Sequence, residues 1–127
     1  MTLIGLGLDV TEISRITYML ERYGERFKQR IYTTGEIAYC ERRRKSFASS
    51  YAARFAAKEA AMKALGTGRS RGVLWRDIEV VRTYGPPRLV FHGGAARRFA
   101  EMNATGSLLT LTHARELAIA QVILTRE

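Results

Sequence analysis

The 127-residue chain has few of the residues that mark several common classes of protein. It contains one cysteine, Cys40, so no disulfide can form within the chain, and this usage is typical of a reducing compartment. Neither of the two histidines lies near Cys40 at metal-binding spacing. We therefore interpret Cys40 as a small packed residue and not as a nucleophile or a metal ligand.

Long apolar runs are also missing. No stretch approaches the roughly 20 apolar residues that a transmembrane helix needs, and residues 1–10 lack the basic segment and cleavage pattern of a signal peptide. We expect a cytoplasmic protein that does not bind membranes. No Pro/Ser-rich linker, repeat or low-complexity tract interrupts the chain, so we predict a single domain over residues 1–127.

Acidic residues are scarce relative to basic ones. Lysine and arginine total 21 and aspartate and glutamate total 12, which gives a formal net charge of +9. A chain this basic favours phosphate-bearing ligands, nucleic acid, an acidic membrane surface or an acidic protein partner. Its 46% hydrophobic residues are enough to build a core, so the chain is not of a disordered type.

Hydrophobic spacing predicts a mixture of helices and strands. The expected elements are a buried strand over residues 2–10, helices over 12–23, 34–44, 46–65 and 94–103, strands over 77–83 and 88–92, and a terminal hairpin over 107–113 and 117–125. Thr33 and Glu36 form a capping signal for the second helix. This order predicts an α+β fold, in which an antiparallel-rich sheet packs with a long buried helix.

The segment RFAAKEAAMKALGTG, which starts at Arg54, is apolar on most sides of its predicted helix but still carries charges. Gly66 suits the position directly after the helix, where the backbone commonly adopts the left-handed conformation. Arg54 and Lys58 fall among the large apolar side chains, whereas Glu59 and Lys63 lie at the margin of an alanine face. One interpretation is a solvated Glu-to-Lys pair, worth roughly 0.2–0.5 kcal/mol. We favour a cleft wall that binds an anion or a metal, because buried charges are seldom left unpaired.

Three cations around one carboxylate suit a polyphosphate with a divalent cation, and such a metal often takes only one or two protein carboxylates. Glu59 is one candidate ligand. Asp9, which follows GLGL near the end of the first strand, is the other. By position alone, Asp9 is more simply interpreted as a cap of the next helix. GLGLD also lacks the third glycine of a dinucleotide fingerprint, since Val10 stands there.

Six segments taken together resemble a known family. GLGLDVTEISRI, RFAAKEAAMKALGTG, WRDIEV, GPPRLVF, LTLTH and AIAQVIL occur in the order seen in the holo-acyl-carrier-protein synthases, the small type of 4′-phosphopantetheinyl transferase. The resemblance covers nearly the whole chain, and the string F-A-A-K-E-A-x-x-K-A-x-G-T-G is its most specific part. Thr110 is a small departure, because the family often has serine at that position.

The resemblance implies a homotrimer with active sites at its subunit interfaces. The implied reaction transfers 4′-phosphopantetheine from coenzyme A to a serine of apo acyl carrier protein, releases adenosine 3′,5′-bisphosphate and supports fatty acid biosynthesis. Asp9 and Glu59 would hold Mg²⁺ on the pyrophosphate, and Lys63 would neutralise phosphate charge. These three residues form the implied catalytic set, with either Glu59 or a metal-bound water as the base for the serine hydroxyl.

The resemblance also implies which residues contact coenzyme A. They are Arg54, Lys58, Lys63, Gly66 and His113, and Lys58 and Arg54 would support the same phosphate site as Lys63. Without the family, His113 would be interpreted only as a polar residue that ends a hairpin strand. The other histidine, His92, receives no functional role.

The first predicted helix offers a surface for a partner. Its inner face is formed by Ile13, Ile16 and Leu20. Arg15, Met19 and Arg22 project on roughly the opposite side. A methionine between two arginines suits an acidic helix with an apolar contact, and the resemblance implies that the carrier protein docks here, with Arg26 extending the patch. The alternative is an ordinary basic helix surface.

The run of Arg42, Arg43, Arg44 and Lys45 favours another class of function, because such runs bind nucleic acid in many proteins. The chain lacks the aromatic pattern of an RNA-stacking surface, so we expect no nucleic-acid partner. A solvated face is the default interpretation of the run, and contact with the 3′-phosphate of coenzyme A is a second. A family member that lost its chemistry is a further alternative, which the intact carboxylates and lysine oppose.

Overall fold

The computed structural model describes residues 1–127 as five helices and five strands, joined by loops and two short 3-10 turns. The helices are α1 (Ile13–Tyr23), α2 (Glu25–Ile31), α3 (Thr34–Glu41), α4 (Phe47–Leu65) and α5 (Gly93–Glu101). The strands are β1 (Thr2–Glu12), β2 (Ile78–Val81), β3 (Arg88–Phe91), β4 (Gly106–Ala114) and β5 (Leu117–Arg126). The predicted α+β class is confirmed. No helix combines the length and the apolarity that a membrane crossing needs.

Helix α4 lies at the centre of the fold and is buried on nearly all sides. Its small alanine side lets the backbone of β1 come unusually close. A Cβ atom added at Gly7 would lie 1.8 Å from the carbonyl oxygen of Ala60, and one at Gly5 would lie 2.5 Å from that of Ala64. The two glycines of β1 are therefore the places where strand and helix backbones meet.

The C-terminal end of α4 is set by Gly66, whose φ of 73° lies in the left-handed region that glycine adopts without steric cost. Arg98 of α5 donates from Nε to the carbonyl oxygen of Leu65 at 2.9 Å. This bond satisfies one of the carbonyl groups that a helix end leaves unpaired. The predicted end of the long helix is confirmed.

The main sheet has the antiparallel strand order β1-β5-β4, and β2 and β3 form a separate two-stranded hairpin. The inner face of the main sheet packs on α4 through four buried side chains of β5, namely Ala118, Ala120, Val122 and Leu124. Since paired residues on neighbouring strands project to the same side, the register also shows which residues of β1 and β4 face α4.

Strand β1 was predicted to be buried, and this prediction is wrong. The strand forms an edge of the sheet and has one open face. Leu6, Leu8 and Val10 point away from α4 and expose 64%, 53% and 53% of their surface. Leu6 pairs with Ile123, which pairs with the exposed Leu108 of β4, so the apolar face runs across all three strands. The alternation of small and large residues in LIGLGLDV reflects this two-sided environment.

Two further predictions need correction. Helix α2 was not predicted; Gly24, with φ of 53°, ends α1 and turns the chain sharply into a second short helix. Helix α3 ends at Glu41 and not near residue 44. Its capping box is confirmed, with Thr33 Oγ1 accepting from the Glu36 backbone N–H at 3.2 Å and Glu36 Oε1 accepting from the Thr33 N–H at 2.8 Å.

Candidate active site

Asp9 projects from β1 toward α4 and pairs with Lys63. Its Oδ1 lies 3.2 Å from Lys63 Nζ, which also donates to the Leu8 carbonyl oxygen at 2.9 Å, and its Oδ2 accepts from Thr11 Oγ1 at 2.6 Å. The alternative that Asp9 caps the next helix is wrong. β1 continues three residues beyond Asp9, and Glu12 occupies the N-cap of α1 without a side-chain bond.

Glu59 is half-buried one turn before Lys63 and shares an electrostatic environment with Asp9. Burial raises the pKa of Glu59, and the negative charge of Asp9 raises it further, while the charges of Lys63, Arg69 and Arg15 oppose the rise. Lys63 forms its ion pair with Asp9 and not with Glu59, so the simple Glu-to-Lys helix pair is not formed. Two carboxylates and a lysine thus lie close together where β1 packs on α4, and we call this cluster the acidic cleft.

The donor set of this cleft fits a hard divalent cation bound together with an anionic ligand. No group of three or more His, Cys, Asp and Glu side chains is placed to hold a metal by itself. Asp9 and Glu59 repel each other, and a bound cation would relieve that repulsion. Mg²⁺ accepts such a site, because it commonly takes one or two carboxylates and completes its shell with water and phosphate oxygens.

Lys58 does not line this cleft, and the prediction that it contacts phosphate is wrong. Its side chain is 0% exposed, and its Nζ lies 2.7 Å from Glu36 Oε1. The same ammonium donates to the carbonyl oxygens of Trp75 and Ile78. Burial lowers the pKa of Lys58, and the Glu36 carboxylate opposes that shift. Lys58 therefore fastens α4 to α3 and β2, with no donor left for a ligand.

Arg54 does not line this cleft either, so the prediction that it supports the same site as Lys63 is wrong. It lies one turn before Lys58 on α4 and is only 4% exposed. Its guanidinium stacks 3.9 Å from the centroid of the Tyr39 ring, and its Nη1 donates to the Ser50 carbonyl oxygen at 3.4 Å. Its Nε is the only buried side-chain polar atom that lacks a partner. A buried, unsatisfied donor on a cation is costly, which identifies Arg54 as a group that an anion would satisfy.

Arg54 faces a polar cavity of about 290 Å³ between the start of α4 and the end of β4. The cavity contains His113 and Arg43, as well as Arg82 from beyond β2. Its hydroxyl groups come from Ser46, Ser49, Ser50 and Thr112. The structure thus places Arg54 and His113 in one cavity. Arg43, from the basic run of residues 42–45, lines the same cavity. Sequence reasoning missed Arg82 and the serines, which no motif identifies because they meet only in the folded chain.

The acidic cleft and the cationic cavity lie at opposite edges of the sheet. Asp9 pairs with Ala120 and His113 pairs with Ala118, so both side chains project from the face that α4 covers. Asp9 belongs to edge strand β1 and His113 to edge strand β4, with β5 between them. Because α4 packs on this face, the two groups of residues lie apart within one chain.

The basic surface of α1 and α2 forms a third feature. Arg15 and Arg22 are exposed as predicted, but Met19 is half-buried and packs against the core. Arg26 lies beside Met19 in a cavity of about 380 Å³. Phe27 and Arg30 line the same cavity, and they were missed because α2 was not predicted.

His92 has a structural contact that fits its lack of an assigned role. Its Nε2 lies 2.9 Å from Glu79 Oε1, and Glu79 Oε2 accepts from Thr33 Oγ1 at 2.8 Å. These bonds connect β2 and the residue after β3 with the start of α3. Cys40 is buried, and burial raises the pKa of its thiol to about 12, so its thiol is poorly suited to act as a nucleophile.

A family model described as the 4′-phosphopantetheinyl transferase superfamily matches residues 5–122. The chain belongs to this superfamily. The family expected from the sequence is therefore confirmed, and the chain is an enzyme of this family.

Curated relatives match almost end to end. The holo-[acyl-carrier-protein] synthase of Solibacter usitatus is 51% identical over 124 residues, which cover 96% of this chain and 98% of the relative. That of Koribacter versatilis is 46% identical over 123 residues, covering 96% and 98%. Both alignments extend over nearly all the elements described above.

Solved structures of the superfamily have the same fold. The holo-[acyl-carrier-protein] synthase of Neisseria meningitidis superposes with a TM-score of 0.89 at 26% identity, covering 98% of this chain and 100% of that one. The Helicobacter pylori synthase, solved in complex with coenzyme A, superposes with a TM-score of 0.82 at 27% identity, covering 94% and 99%. These superpositions support the predicted fold of this transferase superfamily.

Proposed function

We propose that this enzyme transfers the 4′-phosphopantetheine group of coenzyme A to a serine of apo acyl carrier protein. The reaction requires Mg²⁺, releases adenosine 3′,5′-bisphosphate and supports fatty acid biosynthesis in the cytoplasm. The proposal depends mainly on the cleft in which Asp9 and Glu59 lie beside Lys63, in a chain of this superfamily. Close relatives named as synthases of holo acyl carrier protein support it.

The donor's pyrophosphate lies in the cleft of Asp9, Glu59 and Lys63. Mg²⁺ held there by the two carboxylates would neutralise negative charge on the pyrophosphate. Lys63 is more than half exposed and already points at the Asp9 carboxylate, so its ammonium is available to a phosphate oxygen. Any contact of coenzyme A with Gly66 is made through the backbone, because glycine has no side chain. Positioning and electrostatic stabilisation then supply most of the catalysis.

The cationic cavity holds a second anionic group of coenzyme A, and its 3′-phosphate is the group that fits. Arg54 supplies a guanidinium whose Nε has no partner, and Arg43, Arg82 and His113 line the same cavity. Planar guanidinium groups bind phosphate through paired N–H donors, which makes a cluster of arginines suited to this ligand.

In a homotrimer, the acidic cleft of one subunit and the cationic cavity of a neighbouring subunit together form the active site. Within one chain the acidic cleft and the cationic cavity are at opposite sheet edges, with α4 between them. The outer face of the sheet, with Leu6, Leu8 and Val10, leaves a contiguous apolar surface exposed. Such a surface on a small chain is typical of an interface. One subunit's cleft would meet the next subunit's cavity.

The acceptor serine needs a base, because a hydroxyl is a weak nucleophile near neutral pH. Among this chain's side chains, Glu59 is the candidate, since burial and Asp9 raise its pKa above the ordinary value. The carrier protein docks on the basic surface of α1 and α2. Arg15, Met19, Arg22 and Arg26 contribute to that surface, which suits an acidic helix with an apolar contact.

Mass spectrometry of apo acyl carrier protein tests the function directly. After incubation with this enzyme, coenzyme A and Mg²⁺, the carrier should gain the mass of one phosphopantetheine group, and adenosine 3′,5′-bisphosphate should appear in equal amount. A matched reaction with a chelator should leave the carrier unmodified. An unmodified carrier in the presence of Mg²⁺ would exclude the proposed reaction for that acceptor.

A further inference from the structure

Two arginines from different parts of the chain each lie over one ring of a stacked aromatic pair. Phe55 of α4 and Trp75 stack with centroids 5.0 Å apart and an interplanar angle of 24°. The guanidinium of Arg15 lies 5.7 Å from the Phe55 centroid, and that of Arg69 lies 5.5 Å from the Trp75 centroid. The rings are buried and the guanidinium groups are exposed, so the stack holds both charges at a surface.

This stack forms one wall of a cavity of about 240 Å³ between α1, α2 and α4. Its charged members, Arg15, Arg30 and Arg69, are all basic, and the other lining residues are apolar. No acidic side chain lines the cavity. An occupant that complements it presents a carboxylate at the rim and an apolar group to the floor.

The cavity adjoins the candidate catalytic cleft. Phe55, which lies under Arg15 in the cavity wall, is one helical turn before Glu59 on α4. Arg69 does not line the cationic cavity that contains Arg54, which faces the other end of α4. Arg69 instead shares a cavity with Arg15 and Met19 of α1, the helix on which docking of the carrier protein is proposed.

We propose that Arg69 is a specificity-determining residue for the protein acceptor, binding a carboxylate of the carrier close to its acceptor serine. The proposal rests on the proposed function. Arg15 binds from α1 and Arg69 from the loop after α4, so an acidic acceptor is held on two sides of the serine's approach to Glu59. Stacking on Trp75 keeps the Arg69 guanidinium in place before the acceptor arrives, which lowers the entropic cost of binding.

The test compares Arg69→Met with Arg71→Met. Arg71 lies in the same exposed loop and loses the same charge, but it does not line the cavity. With a bacterial apo acyl carrier protein as acceptor, Arg69→Met should raise the carrier's KM by about tenfold, the scale of one lost charged hydrogen bond. The increase should shrink at high salt. The KM for coenzyme A should stay within about twofold of the starting value, as should all parameters of Arg71→Met.

A second arm identifies the carboxylate. Each acidic residue of the carrier within one helical turn of the acceptor serine is replaced in turn by its amide. One replacement should weaken binding to the unsubstituted enzyme but cause no further loss with Arg69→Met, as expected for a directly coupled pair. Equal losses in the Arg69 and Arg71 variants, a matching rise in the KM for coenzyme A, or full additivity for every carrier variant would each overturn the assignment.

Direct binding separates this inference from the proposed reaction. Anisotropy of a fluorescently labelled apo carrier, titrated with the same enzyme variants without coenzyme A, needs no transfer. If transfer is absent but binding depends on Arg69, the surface assignment stands and the proposed reaction fails. If transfer occurs and binding is indifferent to Arg69, the reaction stands and the inference about Arg69 is refuted.

Discussion

Lys58 Nζ lies 2.7 Å from Glu36 Oε1, and both side chains are completely buried. Glu36 also accepts from the backbone N–H of Val80 through Oε2 at 2.8 Å and from that of Thr33 through Oε1. One carboxylate thus joins the start of α3, the middle of α4 and strand β2. Lys58 directly precedes Glu59 on α4. Its pairing with Glu36 therefore fixes the rotation of α4 that turns Glu59 toward Asp9.

Removing only the cation of this pair should be strongly destabilising. Lys58→Met leaves a buried carboxylate without its counter-ion and should lower the free energy of unfolding by about 3–5 kcal/mol. Adding Glu36→Gln removes the orphaned charge and keeps one of the two acceptor oxygens, so the double variant should be more stable than Lys58→Met. Urea unfolding followed by circular dichroism measures both values. A double variant less stable than Lys58→Met would contradict an ionised, mutually dependent pair.

The contrast between Lys58 and Lys63 shows what could be predicted from the sequence. Helix α4 and its end at Gly66 follow from local signals, namely apolar spacing and a glycine cap. Two lysines five residues apart on that helix appear equivalent in sequence. Only tertiary packing separates them, since the partner of Lys58 lies 22 positions earlier on α3 and that of Lys63 lies 54 positions earlier on β1.

The open face of β1 was unpredictable for a related reason. Apolar residues at Leu6, Leu8 and Val10 suggest burial, and whether a neighbour covers them depends on sheet order and on assembly. The cavity around Arg54 likewise needs residues from α4, β4 and the segment after β2. Motifs identified the acidic cleft because its residues lie in two short, distinctive segments.

Asp9→Asn and Glu59→Gln should each reduce transfer by about 100-fold or more with little change in melting temperature. A neutral amide is a poor ligand for Mg²⁺, and the loss of one preorganised catalytic group has this scale. Initial rates measured over a range of Mg²⁺ concentrations check the prediction. Glu12→Gln is the matched control, because Glu12 is an exposed carboxylate on the same strand and should leave the rate unchanged. Full activity in both site variants would end the two-carboxylate hypothesis.

Charge on the open face of the sheet should break the assembly. We expect Leu6→Glu to convert a homotrimer into monomers and to reduce transfer at least about tenfold, because burying an unpaired carboxylate at an interface costs several kcal/mol. Light scattering after size exclusion gives the mass. Leu74→Glu, at an equally exposed leucine away from the sheet, should remain trimeric. A fully active monomer of the unsubstituted chain at working concentration would refute the shared site.

The stability contributed by Glu41 should depend on pH. Its Oε2 accepts from Tyr51 Oη at 2.6 Å and lies 2.9 Å from Lys28 Nζ, and these contacts hold the pKa of Glu41 below its ordinary value of 4.5. A lowered pKa in the folded state stabilises the fold above the ordinary value, and this stabilisation is lost as the pH falls through the folded-state pKa. The difference in melting temperature between the unsubstituted chain and Glu41→Gln should therefore be constant from neutral pH to about pH 5.5 and shrink below pH 4.5. A difference that grows on acidification would contradict the depressed pKa.

Reversing the charge of Arg15 should weaken the carrier's docking while sparing coenzyme A. Arg15 is exposed on α1, where Arg15→Glu puts like charges together and slows encounter with an acidic partner. The carrier's KM should rise by about tenfold or more at low salt and recover partly at high salt. Met19→Ala should also weaken docking, but with little salt dependence, because it removes apolar contact and no charge.

Arg97→Glu on α5 is the control, because it makes the same charge reversal at an exposed position on a different helix. It distinguishes a local contact of the carrier with Arg15 from attraction by the protein's overall positive charge. If docking depends on the local surface, Arg97→Glu should change the carrier's KM by less than about twofold. Titrating coenzyme A against Arg15→Glu completes the comparison. Should coenzyme A binding fall as much as carrier binding, α1 would belong to the phosphate site, and the division between a docking surface and a donor site would be wrong.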